Sequence, residues 1–151
     1  MVAKDTAEVL IDHLRDIVRS SREVSAALER EPDGELLTVP LGALLSHVAA
    51  GQGRRCNALA DRMHITPSTL SRHIAHAEEL GYLERVPDPV DRRAALPVLT
   101  DEGAAVLRRH RARQREWLLE SIADWTDEEV QQLVNGLARL SSSMRDAVSA
   151  N

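Results

Sequence analysis

The sequence predicts a mainly α fold carrying one small β-hairpin, and three observations point there. Apolar residues recur at steps of three and four over most of the chain, the spacing of helices with one buried stripe. Aromatic residues are nearly absent, with Trp117, Trp125, Tyr82 and no Phe, so Leu, Ala, Val and Ile must fill the core. That composition favours helix packed on helix. One charged, proline-rich stretch, Pro87-Asp88-Pro89-Val90-Asp91-Arg92-Arg93, separates two short extended runs. At 151 residues the chain suits one domain, or one compact module with helical extensions. It can bury a core without disulfides or a structural metal.

The first helix is read over residues 6 to 30. Val9, Leu10, Leu14, Ile17, Val18, Val24 and Leu28 make its stripe, and Glu31-Pro32-Asp33-Gly34 stops it. A second helix covers 39 to 50, with Leu41, Leu44, Leu45 and Val48 inward, and ends at Gly51-Gln52-Gly53. A short third helix, 55 to 64, turns Leu59, Ala60 and Met63 inward. After a turn through Ile65 and Thr66, a fourth runs from 67 to 80. Thr66 is its N-cap, and Pro67 takes the first helical position, where a missing N–H costs nothing. Ile65 and Leu70 occupy the positions of a hydrophobic staple, and Gly81 closes the helix as a left-handed cap.

The extended runs Tyr82 to Val86 and Ala94 to Leu99 form the hairpin. Pro97 cannot donate to a ladder, so its strand is expected to be an edge or to be interrupted there. Thr100-Asp101-Glu102 opens a long helix to about 123, with acids in its first turn favouring the dipole. Thr126 and Glu129 form a capping box for the last helix, 127 to 148. Its apolar face is Val130, Leu133, Val134, Leu137, Leu140, Met144 and Val148.

Two short helices joined by a tight turn and followed by a hairpin make a winged helix-turn-helix, with the hairpin as the wing. It is expected over 37–103, flanked by helical regions 1–36 and 104–151. Those outer helices are too long for so small a unit to cover. A second copy of the chain is the simplest partner for their stripes.

No apolar run approaches the roughly 18 residues of a membrane span. The N-terminal MVAKDTAEVL lacks a basic-then-apolar signal pattern, which reads as cytoplasmic. A single cysteine, Cys56, excludes an internal disulfide framework. The net charge of -5 is unevenly spread. Residues 54 to 93 hold seven arginines against six carboxylates, with three of the six histidines, while the rest holds twelve cations against eighteen acids. Binding to a polyanion depends on the field at the contacting face and not on the molecular sum.

Projected at about 100° per residue, the fourth helix groups Leu70, Ile74 and Ala77 on its core side. Ser68, Arg72, Glu79 and, less squarely, Thr69 and His76 point away. Hydroxyls, an arginine and a histidine near a helix start suit the major groove. There Arg can donate two bonds to guanine, while hydroxyls and amides hold phosphates. A solvated helix face explains the same residue types, but the hairpin that follows favours the groove. At its tip Asp91, Arg92 and Arg93 stand together. A cation on a narrow loop can enter the minor groove, with Asp91 orienting Arg93. A charged turn that only keeps the loop soluble is the alternative.

The run DPVDRRAALPVLTDEG at 88–103, with LADRMHITPSTLSRHIAHAEELGYLERV at 59–86, resembles the multiple antibiotic resistance regulator (MarR) family. The resemblance rests on Asp91, Arg93, Leu99, Thr100 and Gly103, and on Ser71 and Arg72 in the reading helix. It implies a twofold-symmetric dimer joined by N- and C-terminal helices. It further implies double-stranded DNA with a pseudo-palindromic operator as partner, repression as the usual output, and release by a small-molecule effector or an oxidant. Two departures stand out. Arg55-Cys56 replaces the Thr or Ser that commonly caps the third helix, and Arg54 and Arg55 could contact phosphates there. Pro97 is expected to interrupt a strand that is often continuous.

The DNA-binding set is thus Arg54, Arg55, Thr66, Ser68, Thr69, Ser71, Arg72, His76, Asp91, Arg92 and Arg93. Cys56 invites a redox-sensing role, with Arg54 and Arg55 as neighbours able to lower its pKa. A small residue at a helix start is the plainer reading. His13, His47 and His110 lie on or beside apolar stripes near the expected effector cleft. They could bind zinc, but no paired short spacing marks a structural zinc site, so half-buried histidines or partners for an organic acid are preferred. No cofactor is implied. The run RRHRARQR at 108–115 scatters its arginines around a helix and reads as a solvated face with ion pairs. No catalytic constellation emerges, and Glu78-Glu79 and Glu128-Glu129 do not converge on a point, so an enzyme is not expected. A winged-helix module that docks protein and never touches DNA is the alternative of another class.

Overall fold

A computed structural model of the chain describes residues 3–28, 37–51, 56–91 and 94–149. The expected stop at 31–34 lies outside them. The element order is the one read from the sequence: α1 (Lys4–Leu28), α2 (Val39–Ala50), α3 (Cys56–Met63), α4 (Pro67–Glu79), β1 (Leu83–Pro87), β2 (Ala95–Leu99), α5 (Asp101–Ser121) and α6 (Asp127–Ser149). Two compact units divide it, 1–111 and 112–151. Among the described residues no helix is long and apolar enough to cross a membrane.

The core of the first unit is aliphatic. Leu41, Leu44, Leu45 and Val48 of α2 meet Leu59 and Ala60 of α3, Leu70, Ile74 and Ala77 of α4, and Val106 and Leu107 of α5. Leu44 and Leu45 are fully enclosed. Each such side chain contributes ~1.5–3 kcal/mol by leaving water. Met63 and Ile65 pack against the edge of this cluster. Between α3 and α4 the chain reverses through His64, whose φ of 52° is left-handed without being glycine.

At the end of α4 the amide of Gly81 donates to the Glu78 carbonyl and that of Tyr82 to the Ala77 carbonyl, both at 2.9 Å. Gly81, at φ 74°, makes this pair of bonds possible, since an L side chain there would strain the backbone. The helix therefore stops where Tyr82 and Leu83 must turn inward.

The hairpin is antiparallel, with Leu83 opposite Leu99 and Pro87 opposite Ala95. Pro97 does not interrupt β2. It is buried and lies opposite Arg85 within an unbroken five-residue strand. In a two-stranded sheet both strands are edges, so one ladder position can lack a donor. The departure expected at Pro97 is thus absent.

The joint between hairpin and α5 is built by Thr100 and Gly103. The Thr100 hydroxyl donates to the Gly81 carbonyl at 2.6 Å and accepts from the Gly103 amide at 3.0 Å. Its own amide donates to the Tyr82 carbonyl at 3.1 Å. One side chain therefore caps α5 and ties it to the end of α4. A Cβ on Gly103 would run into the Tyr82 carbonyl, so glycine is what lets α5 start this close.

In the second unit, Thr126 and Glu129 form the expected capping box. Glu129 Oε2 accepts from the Thr126 amide at 2.8 Å, and the Glu129 amide donates to Thr126 Oγ1 at 3.3 Å. The Thr126 amide first, and then the Thr126 hydroxyl, which donates to the same oxygen at 2.9 Å, hold the Glu129 carboxyl below its usual range.

Candidate nucleic-acid interface

The start of α4 is a hydroxyl cluster built on its N-cap. Thr66 Oγ1 accepts from the Thr69 amide at 3.2 Å and lies 3.0 Å from Ser68 Oγ and 2.9 Å from Thr69 Oγ1. Capping and clustering fix where these hydroxyls stand relative to the first turn. Ser68, Ser71, Arg72 and His76 are all exposed, while Thr69 is half-buried. Leu70, Ile74 and Ala77, at 1%, 1% and 0% exposure, face the other way. The amphipathic division of α4 is the one its sequence implies. His76 Nδ1 lies 3.9 Å from Glu79 Oε2, a loose pairing one turn on.

Asp88, not singled out in the sequence, organises the base of the hairpin loop. Although its residue is only 4% exposed, its Oδ1 accepts from the amides of Val90 at 2.8 Å and Asp91 at 3.3 Å. The Asp88 amide donates to the Ala94 carbonyl, and the Ala94 amide to the Asp91 carbonyl. An Asp bonding amides two and three residues on is a turn former, and the run Asp-Pro-Val-Asp carried that signal. Asp91 is exposed. Arg92 and Arg93 lie outside the described residues, as do Arg54 and Arg55, so the pairing of Asp91 with Arg93 stays an expectation.

A second feature was not foreseen. Arg85, on β1, reaches back to Glu78 on α4 through a two-pronged ion pair, Nε to Oε1 at 2.7 Å and Nη2 to Oε2 at 3.3 Å. The Glu78 hydrogen bond, against a smaller opposing effect of burial, raises the Arg85 guanidinium further above its ordinary range. Their side chains are 47% and 28% exposed, and pairs of this kind contribute only ~0–1 kcal/mol to stability. In the sequence Glu78 reads as one of two adjacent acids with Glu79, and nothing in the local pattern marks a partner seven residues away.

The candidate effector residues lie on three helices. His110 of α5 stacks over Gly42 of α2, close enough that a Cβ there would come within 3.3 Å of Nε2. His47 is half-buried on α2, and His13 is exposed on α1. Among the described residues no three His, Cys, Asp or Glu side chains come together as a metal site. Cys56 is a half-buried thiol at the start of α3, packed against the core. The 108–115 run carries an ion pair of the expected kind, Arg109 to Glu102 at 3.3 Å.

Comparison with known proteins agrees with this arrangement. The sequence profile of the MarR family matches residues 37–94. An uncharacterized HTH-type transcriptional regulator of Mycobacterium bovis is 31% identical over 108 residues, 71% of this chain and 72% of that protein. Among solved structures, the PcaV transcriptional regulator of Streptomyces coelicolor, in complex with its natural ligand, superposes with a TM-score of 0.68 at 25% identity, covering 95% of this chain and 99% of that one. FabT of Streptococcus pneumoniae, in complex with DNA, does so with a TM-score of 0.76 at 20% identity, covering 93% and 98%.

Proposed function

The chain belongs to the MarR family of winged helix-turn-helix transcriptional regulators, and we propose that it acts as a homodimer that grips a pseudo-palindromic operator and represses transcription until a small-molecule effector releases it. Ser68, Thr69, Ser71, Arg72 and His76 of α4 enter the major groove, with Thr66 fixing the first turn. The loop bearing Asp91, Arg92 and Arg93 enters the minor groove, and Arg54 and Arg55 hold phosphates beside α3. Residues 37–103 are the DNA-binding region, and 1–36 with 104–151 the dimerisation region. A regulator of this kind works in the cytoplasm and is not an enzyme.

One observation carries this reading. From its capped start α4 carries an exposed Ser, Ser and Arg, with an exposed His in its last turn, while the opposite side of the same helix is sealed in the core. That is the geometry a helix needs to lie in a groove about 12 Å wide. The DNA complex of FabT, of the same fold, supports it. A homodimer is supported by the apolar side chains that the single chain leaves in water, Ile17 at 58% exposure on α1 and Met144 at 59% on α6 among them. The ligand complex of PcaV supports an effector, and half-buried His47 and His110 are the residues offered to an organic acid.

Selection of bound duplexes from a random-sequence pool tests the DNA reading, with gel-shift titration of the recovered site. Arg93→Ala is expected to cost ~1–3 kcal/mol of binding, and affinity should fall steeply with added salt. Retention of no sequence, even at low salt, would instead favour a protein-docking module.

A further inference from the structure

The base of the hairpin is its anchor: Leu83 is buried in the core, and Thr100 ties the returning strand to the Gly81 carbonyl. Farther along, β2 buries Leu96 and Pro97, while β1 exposes Glu84, Arg85 and Pro87. From Leu83 to Pro87 the strand reaches about 13 Å, at ~3.3 Å per residue. A rotation of about 10° at its base would therefore move the loop by about 2 Å, well beyond the ~0.5 Å to which a binding constellation must be held. The pair between Glu78 and Arg85 lies on this arm, beyond the anchor, and joins it to the last turn of α4. Two parallel N–H···O bonds constrain direction as well as distance, which one point charge does not. Its small contribution to stability leaves geometry as what the pair supplies.

Building on the DNA-binding reading, we propose that Glu78 and Arg85 are positioning residues that set the angle between the reading helix and the wing, and so the register between major-groove and minor-groove contacts. Glu78 acts through Arg85 and touches no DNA. The consequence runs against simple electrostatics. Removing a carboxylate from a surface that faces a polyanion should tighten binding, because one repulsive charge is gone. If the carboxylate holds the wing in place, removing it weakens binding instead.

The test uses the full chain and a labelled duplex carrying the site recovered from the random pool, with thermal melting to establish that each variant is folded. Glu78→Ala is expected to bind three- to tenfold more weakly, and to lose hydroxyl-radical protection and sequence preference in the minor-groove segments while keeping both in the major groove. A residue needed only for folding would weaken both together. Arg85→Lys separates positioning from direct phosphate contact. It keeps the charge and loses the fork, so it should resemble Arg85→Ala if the pair positions the wing, and the unsubstituted protein if Arg85 merely holds a phosphate. Glu78→Ala binding as tightly as the unsubstituted protein, or tighter, overturns this inference while leaving the DNA reading intact. An unsubstituted protein that retains no sequence from the pool overturns both.

Discussion

Replacing Gly103 by alanine should destabilise the protein, although helix propensity alone says the reverse. Gly103 occupies the third position of α5, and alanine in a helix is favoured over glycine by about 1 kcal/mol. A steric clash outweighs that gain. The new methyl would overlap the Tyr82 carbonyl oxygen and lie 2.8 Å from its carbon and 3.0 Å from Cα. Main-chain atoms cannot rotate aside like the end of a side chain. The same carbonyl accepts the Thr100 amide, so a shift that relieves the clash also weakens that bond. Overpacking costs ~1–3 kcal/mol and the bond about 1 more, leaving a net loss of about 2 kcal/mol after the propensity gain. At this chain length that lowers Tm by about 6 °C. Gly136 of α6 is the control, because a Cβ there meets nothing within 4 Å. Gly136→Ala should stabilise by up to about 1 kcal/mol. Urea titration followed by circular dichroism, at one fixed protein concentration, reads both variants. A Gly103→Ala protein at least as stable as its parent would refute the close approach of α5 to Tyr82.

Three further outcomes are expected. Thr100→Val keeps the shape but leaves the Gly81 carbonyl and the Gly103 amide without their hydroxyl, and should cost about 2 kcal/mol in urea titration, whereas Thr100→Ser should stay close to the parent. Glu129 has a carboxyl held below its ordinary value of 4.5, so its contribution is present above that value and disappears as pH falls through the lower, folded one. Glu129→Gln should therefore melt below the parent at neutral pH, with a gap that closes in acid; a gap that does not change with pH contradicts the capping geometry. Leu137→Glu places a charge on the apolar face of α6, where Leu137 is 43% exposed in the single chain. Light scattering should show a dimeric parent and a monomeric variant, and a monomeric parent would remove the twofold assembly.

The helices were legible because their information is local. Leu41, Leu44, Leu45 and Val48 recur at helical spacing, and burial of all four follows from the period alone. Thr66 before Pro67, and Gly81 after a run of thirteen residues without a breaker, mark the ends of α4 by chemistry that acts within one turn. The exposed side of α4 was equally readable, since knowing which residues face the core determines which do not. Of the two outcomes open for Pro97, an edge strand or an interruption, the first holds, because a two-stranded ladder leaves one flank open and a missing donor is tolerated there.

What escaped the sequence lies where two elements meet. Glu78 and Arg85 sit on different elements, and their pairing exists only once the Gly81 turn folds β1 back along α4. Asp88 is buried although aspartate is seldom enclosed, because the amides of Val90 and Asp91 replace the water it loses. Gly103 matched a family pattern by letter, but its reason is the Tyr82 main chain beside it, twenty-one residues earlier. These joints lie between α4 and the hairpin, and on the proposed reading α4 and the wing reach two grooves of one duplex at once. On that reading specificity depends on angles set by residues that need not touch DNA, and a motif of contacting side chains captures only the part of the interface that local sequence encodes.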